Sequence, residues 1–229
     1  MNKALSFLAR SSFIMAVSFS VGFLTIHFAR QTGWYQDYLY HQLLSGDEQQ
    51  RLRAAGSLAV VGAEKQLLEA LKAEPPEVHS IAQRGLEHLW FNAAGRKACA
   101  MMEQAQEASA KNEFKESLRL LDRLTAEYPK YAEAWNQRAA VLWQMGQYQE
   151  SKADCERTLA LNPNHYGAWQ GLGICQLQLG DVVEAVRSLR NALKIAPHEE
   201  STRKSLLKCE EFLRSCPPSS RVKHPANLL

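Results

Sequence analysis

The sequence has few of the features that mark an enzyme or a metalloprotein. Its five cysteines are odd in number and include no C-x-x-C pair, so they form neither a disulfide framework nor a usual zinc site. The seven histidines are scattered, and neither G-x-S-x-G nor H-E-x-x-H occurs. We therefore expect no catalytic residue, no metal site and no cofactor.

The sequence also has little excess of either charge and few prolines and glycines. The formal net charge is +3 over 229 residues, with no basic run, which argues against a nucleic-acid partner. The 8 prolines and 12 glycines are spaced at intervals, as expected between helices rather than in a linker. The hydrophobic content of 46% is ordinary for a globular chain.

One long uncharged run stands near the N-terminus. Residues 11–29 contain no charged side chain, and as a helix they would extend about 28 Å, close to the hydrocarbon thickness of a bilayer. Lys3 and Arg10 precede this run, Arg30 follows it, and the next basic residue is Arg51. This bias predicts an uncleaved signal-anchor in residues 1–36, with the N-terminus in the cytoplasm and the rest translocated.

Two alternatives to this anchor fit less well. A cleaved signal peptide needs small residues before the cut, and His27 occupies such a position. A mitochondrial transit peptide agrees with the lack of acidic residues before Asp37, but the uninterrupted apolar core argues against it. We expect a single-pass protein whose remaining chain faces the non-cytoplasmic side of a bacterial inner membrane or, alternatively, an organelle compartment.

Residues 37–97 show the three- and four-residue apolar spacing of helices, with breaks at Gly62 and at Pro75–Pro76. In the first long helix the apolar stripe is Leu52, Ala55, Leu58 and Ala59. The segment resembles HEAT-type helical repeats over about one and a half units, which implies that it covers an edge of the following array. The residues that carry this resemblance are Arg53, Ala54, Ala55, Leu58, Gly62, Leu67, Leu68, Glu69, Ala70, Leu71, Pro76, Glu77 and Val78.

A 34-residue period runs through the C-terminal half. It relates Trp135 to Trp169, Gly146 to Gly180, and the three prolines Pro129, Pro163 and Pro197. Small residues recur where two helices would cross, and apolar residues recur two positions after the turn. The crossing residues are Ala139 and Gly173 opposite Ser117, Ser151 and Ala185, and the residues after the turn are Phe114, Tyr148 and Val182.

These positions resemble the tetratricopeptide repeat family in register. The match is strong over residues 132–165 and 166–199, and weaker over 98–131, where Met101 replaces the tryptophan and Asn112 the turn glycine. The resemblance implies an all-α superhelix, an α-solenoid, in residues 98–215 that includes a capping helix over residues 201–214. That helix should point Leu206, Leu207, Phe212 and Leu213 inward. The tail at residues 216–229 is expected to be disordered.

The resemblance also implies where a ligand would lie, on the concave face formed by the first helices. Carried over by register, this groove contains Met102, Gln106, Ser109, Asn136, Ala140, Trp143, Gln170, Ile174 and Leu177. Trp143 has two interpretations: an anchor for a bound peptide, or a residue that packs between repeats.

Some members of the family grip the C-terminal carboxylate of heat-shock chaperones with Lys, Arg and Asn. The corresponding positions here hold no cation: Met102, Gln106, Gln137, Gly167 and Gly171. We therefore expect no such clamp, and an apolar or amide-rich peptide instead. The predicted function is a membrane-anchored adaptor that holds a protein partner during assembly of a membrane or envelope complex. The alternatives are a self-associating structural component and an enzyme whose residues lie in the middle section.

Overall fold

The computed structural model describes residues 32–215, and every regular element in that range is an α-helix. The predicted membrane anchor at residues 11–29 and the tail at 216–229 lie outside the described residues. None of the helices within 32–215 combines the length and apolar character needed to cross a membrane. The helices are α1 Gly33–Ser45, α2 Glu48–Val60, α3 Glu64–Ala70, α4 Pro76–Phe91, α5 Arg96–Ala110, α6 Phe114–Glu127, α7 Ala132–Gln144, α8 Tyr148–Leu161, α9 Tyr166–Gln178, α10 Val182–Ile195 and α11 Glu200–Ser215.

Helices α1 to α4 form an N-terminal unit around one apolar core. Leucines from all four helices are completely buried there: Leu43, Leu58, Leu67 and Leu86. Helix α2 begins with a capping box, in which Asp47 Oδ1 accepts from the Gln50 N–H at 2.8 Å and Gln50 Oε1 accepts from the Asp47 N–H at 2.9 Å. The resemblance of this unit to HEAT repeats stays a prediction.

The predicted stripe of α2 is wrong at Leu52, which is 41% exposed, whereas Ala54 is buried. Helix α4 approaches the small side of α2, because a Cβ placed on Gly85 would lie 3.4 Å from the Cβ of Ala55. The neighbouring helix therefore covers Ala54 and Ala55 and leaves Leu52 at the surface.

Helices α5 to α10 form three helix pairs with the predicted turns. The residue at each turn has a left-handed backbone: φ is 60° at Asn112, 75° at Gly146 and 88° at Gly180. Asparagine tolerates this conformation better than most side chains, so the substitution in the first pair keeps the turn. The second helices begin at the three predicted residues, Phe114, Tyr148 and Val182.

Small residues let the two helices of each pair approach closely, as predicted. A Cβ on Gly173 would lie 2.8 Å from Leu189 Cγ, and Ala139 is buried. In the second pair the Ser151 hydroxyl donates to the Ala139 carbonyl oxygen at 2.7 Å. The first pair repeats this bond, since Ser117 donates to the Ala105 carbonyl oxygen at 2.8 Å.

The N-terminal unit packs against the second and third repeats, not only against the first. The rings of Trp90 and His165 are stacked at 4.4 Å, and His165 Nε2 lies 2.8 Å from Glu133 Oε2. Tyr166 belongs to the core of the N-terminal unit, and His79 stacks on His198 at 4.5 Å. The N-terminal unit therefore covers more than the predicted edge of the repeat array. Aromatic residues at the starts of the later repeats pack into this unit.

Helix α11 caps the array over the predicted range, but with a different inner face. Cys209 is completely buried and Thr202 is buried, whereas Leu207 is 54% exposed. Thr202 and Cys209, which are seven residues apart, define the inner face of α11. Leu206 and Leu213 lie beside this face and are partly buried against the same core. The prediction that Leu207 faces inward is therefore wrong.

Candidate functional site

A recess lies where α7, α8 and α9 meet, between the second and third repeats. Its volume is about 280 Å³. We call it the recess throughout; its lining consists of Asn136, Ala139, Ala140, Trp143, Gln144, Ser151, Cys155, Gly167, Gly171, Ile174 and Cys175. The small residues on α7 and α9 that allow close helix approach also leave this space, since glycines at 167 and 171 have no side chain to fill it.

Four of the nine predicted groove residues line this recess: Asn136, Ala140, Trp143 and Ile174. Asn136, Ala140 and Trp143 follow one another at four- and three-residue spacing on α7, and so lie on one face of that helix. Ile174 faces them from α9. The register carried over from the repeat family thus names four residues that lie around one recess. That these residues bind a partner stays a prediction.

Two of the nine are core residues rather than groove residues. Met102 is completely buried in the core of the first repeat, and Leu177 is 2% exposed in the core shared by α10 and α11. Their side chains pack against the neighbouring second helices, because both are large apolar residues beside an apolar partner helix. Neither is available to a ligand in this conformation.

The remaining three predicted residues lie outside the recess. Gln106 is exposed and Ser109 is half-buried on α5. The Gln170 amide donates to the Ser201 hydroxyl at 3.0 Å, which connects α9 to α11. A ligand that extended beyond the recess would have to displace this bond to use Gln170.

Trp143 forms the aromatic wall of the recess. Its ring is half-buried and lies 6.5 Å from the Tyr148 ring, tilted by 56°. The indole N–H is shielded from solvent and has no acceptor among the described residues. A buried donor without an acceptor costs free energy. Trp143 is not part of the buried apolar clusters.

Two cysteines line the recess, although their spacing along the chain does not predict that they lie together. Cys155 from α8 and Cys175 from α9 are both buried, and the Ser151 hydroxyl lies 3.1 Å from the Cys175 sulfur. A hydrogen bond with the Cys175 thiol, together with burial, raises the pKa of Cys155. Cys155 therefore stays a neutral thiol near pH 7, and it contributes a soft, polarisable surface rather than a nucleophile.

No charged side chain lines the recess, and the part of the chain that is described contains no group of three His, Cys, Asp or Glu side chains able to hold a metal ion. A ligand in the recess could make apolar contacts with Trp143 and Ile174 and hydrogen bonds with the side-chain amides of Asn136 and Gln144. This combination is typical of a site for an uncharged peptide segment.

Tetratricopeptide repeat sequences match residues 102–151 and residues 142–207 of the chain. Together these ranges cover the three helix pairs, apart from the first turns of α5, and the first half of α11. This part of the chain is similar in sequence to tetratricopeptide repeats, and its helix pairs form an all-α solenoid. The matched range extends beyond the third helix pair and includes the first half of the capping helix.

A tetratricopeptide repeat-containing protein of Rhizobium etli is 33% identical over 96 residues. The aligned part is 41% of this chain and 47% of that protein, so the chain spans about half the length of this curated relative.

Solved structures with the same fold include the first tetratricopeptide domain of Spaghetti (RPAP3) bound to the HSP90 peptide SRMEEVD, at 19% identity and a TM-score of 0.51. It aligns with 52% of this chain and 94% of that domain. The Sgt2 domain from Aspergillus fumigatus has 17% identity and a TM-score of 0.50, over 53% of this chain and 85% of that domain. At such identities the likeness establishes the fold alone.

Proposed function

We propose that the protein is a membrane-anchored adaptor whose repeat array binds an extended, uncharged segment of a partner protein in the recess. The observation that carries this proposal is the recess itself: an opening between two repeats, lined by Trp143 and by no charged residue. Tetratricopeptide arrays are interaction scaffolds, and nothing in the described residues 32–215 resembles a catalytic constellation.

The dimensions of the recess indicate the size of the group it accepts. Its volume of about 280 Å³ is at the lower end of the range of about 300–1,000 Å³ for ligand pockets. One large apolar side chain of a peptide would fit in it, against Trp143, Ile174 and the thiols. The side-chain amides of Asn136 and Gln144 could form hydrogen bonds with the peptide backbone on either side of that apolar residue.

A chaperone C-terminus is a poor candidate for this ligand. The peptide SRMEEVD in the Spaghetti domain carries three acidic side chains and a C-terminal carboxylate. The recess has no lysine or arginine in its lining, so these anions would lose hydration without gaining a cation. We therefore propose a partner segment without clustered acidic residues.

The membrane part of the proposal rests on residues 11–29, which lie outside the described residues. Their lack of charge and the basic residues before them favour an anchor with the array on the non-cytoplasmic side. Protease added to spheroplasts should digest the array. Complete protection, with a C-terminal reporter active only in the cytoplasm, would reverse this topology.

The adaptor proposal and its alternative, self-association, separate in one experiment. The full-length protein is cross-linked in native membranes, purified under denaturing conditions and identified by mass spectrometry. An adaptor should give reproducible adducts with a second protein, and these should diminish in Trp143→Ala. Adducts between copies of this chain alone would support a self-associating structural component and would end the adaptor proposal.

A further inference from the structure

A second, larger groove lies at the C-terminal end of the array, between α10 and α11, on surfaces that the recess does not use. Its volume is about 670 Å³. The floor is apolar and consists of Val183, Val186 and Leu213. Val183 is 52% exposed. We call this surface the terminal groove.

The rim of the terminal groove is basic. Four cations, Arg187, Arg190, Lys194 and Arg214, stand against the single lining carboxylate of Glu210. Glu210 is paired with Arg190 at 2.7 Å, and Arg187 is paired with Glu184 at 2.9 Å outside the lining. Within residues 32–215, Lys194 and Arg214 have no carboxylate within 4.0 Å; they contact the Asn191 side chain and the Glu210 main-chain oxygen.

The repeat register explains why the groove is open. Within the array each first helix is covered by the second helix of its own repeat: α8 covers α7 and α10 covers α9. Helix α11 occupies the place of a fourth first helix, but the described chain ends at residue 215 without a helix to cover it. Glu210 stands 34 residues after Gln176, and the Gln176 side chain accepts a hydrogen bond from Ser188 of the covering helix α10 at 2.8 Å.

We infer that an amphipathic helix with an acidic face, supplied by a partner protein, docks in the terminal groove where the second helix of a fourth repeat would lie. Its apolar stripe covers Val183, Val186 and Leu213, and its carboxylates pair with Lys194 and Arg214. Charge complementarity of this kind sets partner choice and association rate. The chain's own residues 216–229 fit the groove poorly, because they contain Arg221 and Lys223, no acidic residue, and three prolines.

The probe for this inference is a synthetic helical peptide with leucines at three- and four-residue spacing and glutamates on the flanks. Its binding to the full-length chain, held in neutral detergent, is measured by fluorescence anisotropy. A second peptide has lysine in place of every glutamate. The acidic peptide should bind and weaken with added salt, whereas the basic peptide should not bind.

Two double variants with the same change of charge test whether the acidic peptide binds in the terminal groove. Lys194→Glu with Arg214→Glu should weaken binding of the acidic peptide by about tenfold or more. Both residues are exposed and lie in the last turns of α10 and α11, where a negative charge is unfavourable, so the melting temperature should fall only slightly. Lys115→Glu with Lys208→Glu makes the same change of charge at exposed sites outside the groove and should alter binding far less. Equal loss in the two double variants would overturn the inference, because it would show attraction to net charge alone.

Two further results would also overturn it. The peptide would occupy the recess instead if Trp143→Ala, and not the terminal variants, abolished binding. The groove would be a lipid contact if vesicles of phosphatidylserine bound the terminal groove while the acidic peptide did not. Because the recess and the terminal groove share no lining residue, failure here leaves the adaptor proposal intact.

Discussion

The second and third repeats have the same backbone plan but are held together by different chemistry. In the second repeat Arg138 forms two bonds with Asp154, Nε to Oδ2 at 2.7 Å and Nη2 to Oδ1 at 2.8 Å, and a third from Nη1 to Asp122 at 3.1 Å. In the third repeat the corresponding residues, 34 positions later, are Leu172 and Ser188, which are buried without an ion pair.

This difference shows what a repeat period specifies. The period determines where helices begin, turn and cross, because glycine, proline and small residues recur in register. It leaves the interior free to be ionic or apolar. The Arg138 guanidinium lies 4.6 Å above the Trp135 ring and contacts α6, α7 and α8, so the ionic version joins the first repeat to the second. The apolar version in the third repeat makes no such bridge.

Removal of Asp154 should have the largest effect on stability. Asp154→Ala leaves the Arg138 guanidinium partly buried without its main partner, which should cost about 3 kcal/mol. The corresponding change in the third repeat, Ser188→Ala, breaks one neutral hydrogen bond and should cost about 1 kcal/mol. Urea denaturation of both variants measures the difference.

A double variant sharpens the same comparison. Arg138→Leu with Asp154→Ser gives the second repeat the residues of the third, and it should recover much of the stability lost in Asp154→Ala, since no unpaired charge remains. If Asp154→Ala were no more harmful than Ser188→Ala, the ion pair would not be what holds the second repeat.

Overpacking of the helix crossing should be the next largest effect, in both repeats. Gly173→Leu meets Leu189, and Ala139→Leu meets the helix that carries Ser151, so each should cost about 1–3 kcal/mol. The control is Gln147→Leu, on the exposed turn of the second repeat, which should leave the melting temperature nearly unchanged. Equal melting temperatures for Ala139→Leu and Gln147→Leu would mean that the crossing is not tight.

Much of this architecture could be predicted from the sequence, because glycine, proline and tryptophan carry geometric information at single positions. The turns at Gly146 and Gly180 and the range of the capping helix were predicted correctly. The inner face of α11 was not, since Leu206 and Leu207 are equally apolar and only contact with α10 selects one of them.

The candidate site was less predictable than the fold. Register placed Asn136, Ala140 and Trp143 on one helix face, but the exposure of a residue depends on neighbours outside its own repeat. Met102 shows a second limit, since it is buried in the core of its own repeat although its register position belongs to the groove. The proximity of Cys155 and Cys175 depends on how α8 packs against α9. The spacing of the cysteines along the chain does not predict this packing. The docking of Trp90 on His165 was equally hidden, because no period connects residue 90 to the repeats.

Loss of the aromatic wall should weaken partner binding without affecting either repeat's fold. Trp143→Ala should reduce affinity for the partner segment by about thirtyfold, or about 2 kcal/mol. Arg187→Ala, on the exposed face of α10, should change it little. Each variant is first checked for an unchanged melting temperature. Early melting of Trp143→Ala would identify the residue as a packing residue, and normal folding with normal binding would place the ligand elsewhere.

Acid sensitivity should be a smaller effect, specific to the third repeat. His79 of α4 stacks on His198, which follows α10, whereas the second repeat has Asn164 at that position. Burial, and then the charge of His198, lower the pKa of His79, against the opposing effects of a backbone hydrogen bond at Ala73 and of the charges of Glu199 and Glu77. The unfolded chain therefore binds the proton more readily, and stability should fall as the pH drops below about 6.5.

The variant His79→Phe keeps the stacked ring and removes the titration. Its free energy of unfolding should decrease less between about pH 7.5 and about pH 5.5 than that of the unchanged protein. Thermal unfolding at the two pH values measures this. An identical decrease in both proteins would assign the acid sensitivity to other groups.

The central claim, that the recess receives a partner protein, is tested most directly by site-specific photo-cross-linking in native membranes. A photoreactive benzoylphenylalanine replaces Ala140, an exposed residue in the lining of the recess, and in a parallel strain it replaces Glu150, exposed on α8 outside the recess. The account predicts an adduct with a second protein from position 140 that is lost when Trp143→Ala is added, and none from position 150. Equal adducts from both positions, or adducts between copies of this chain alone, would contradict it.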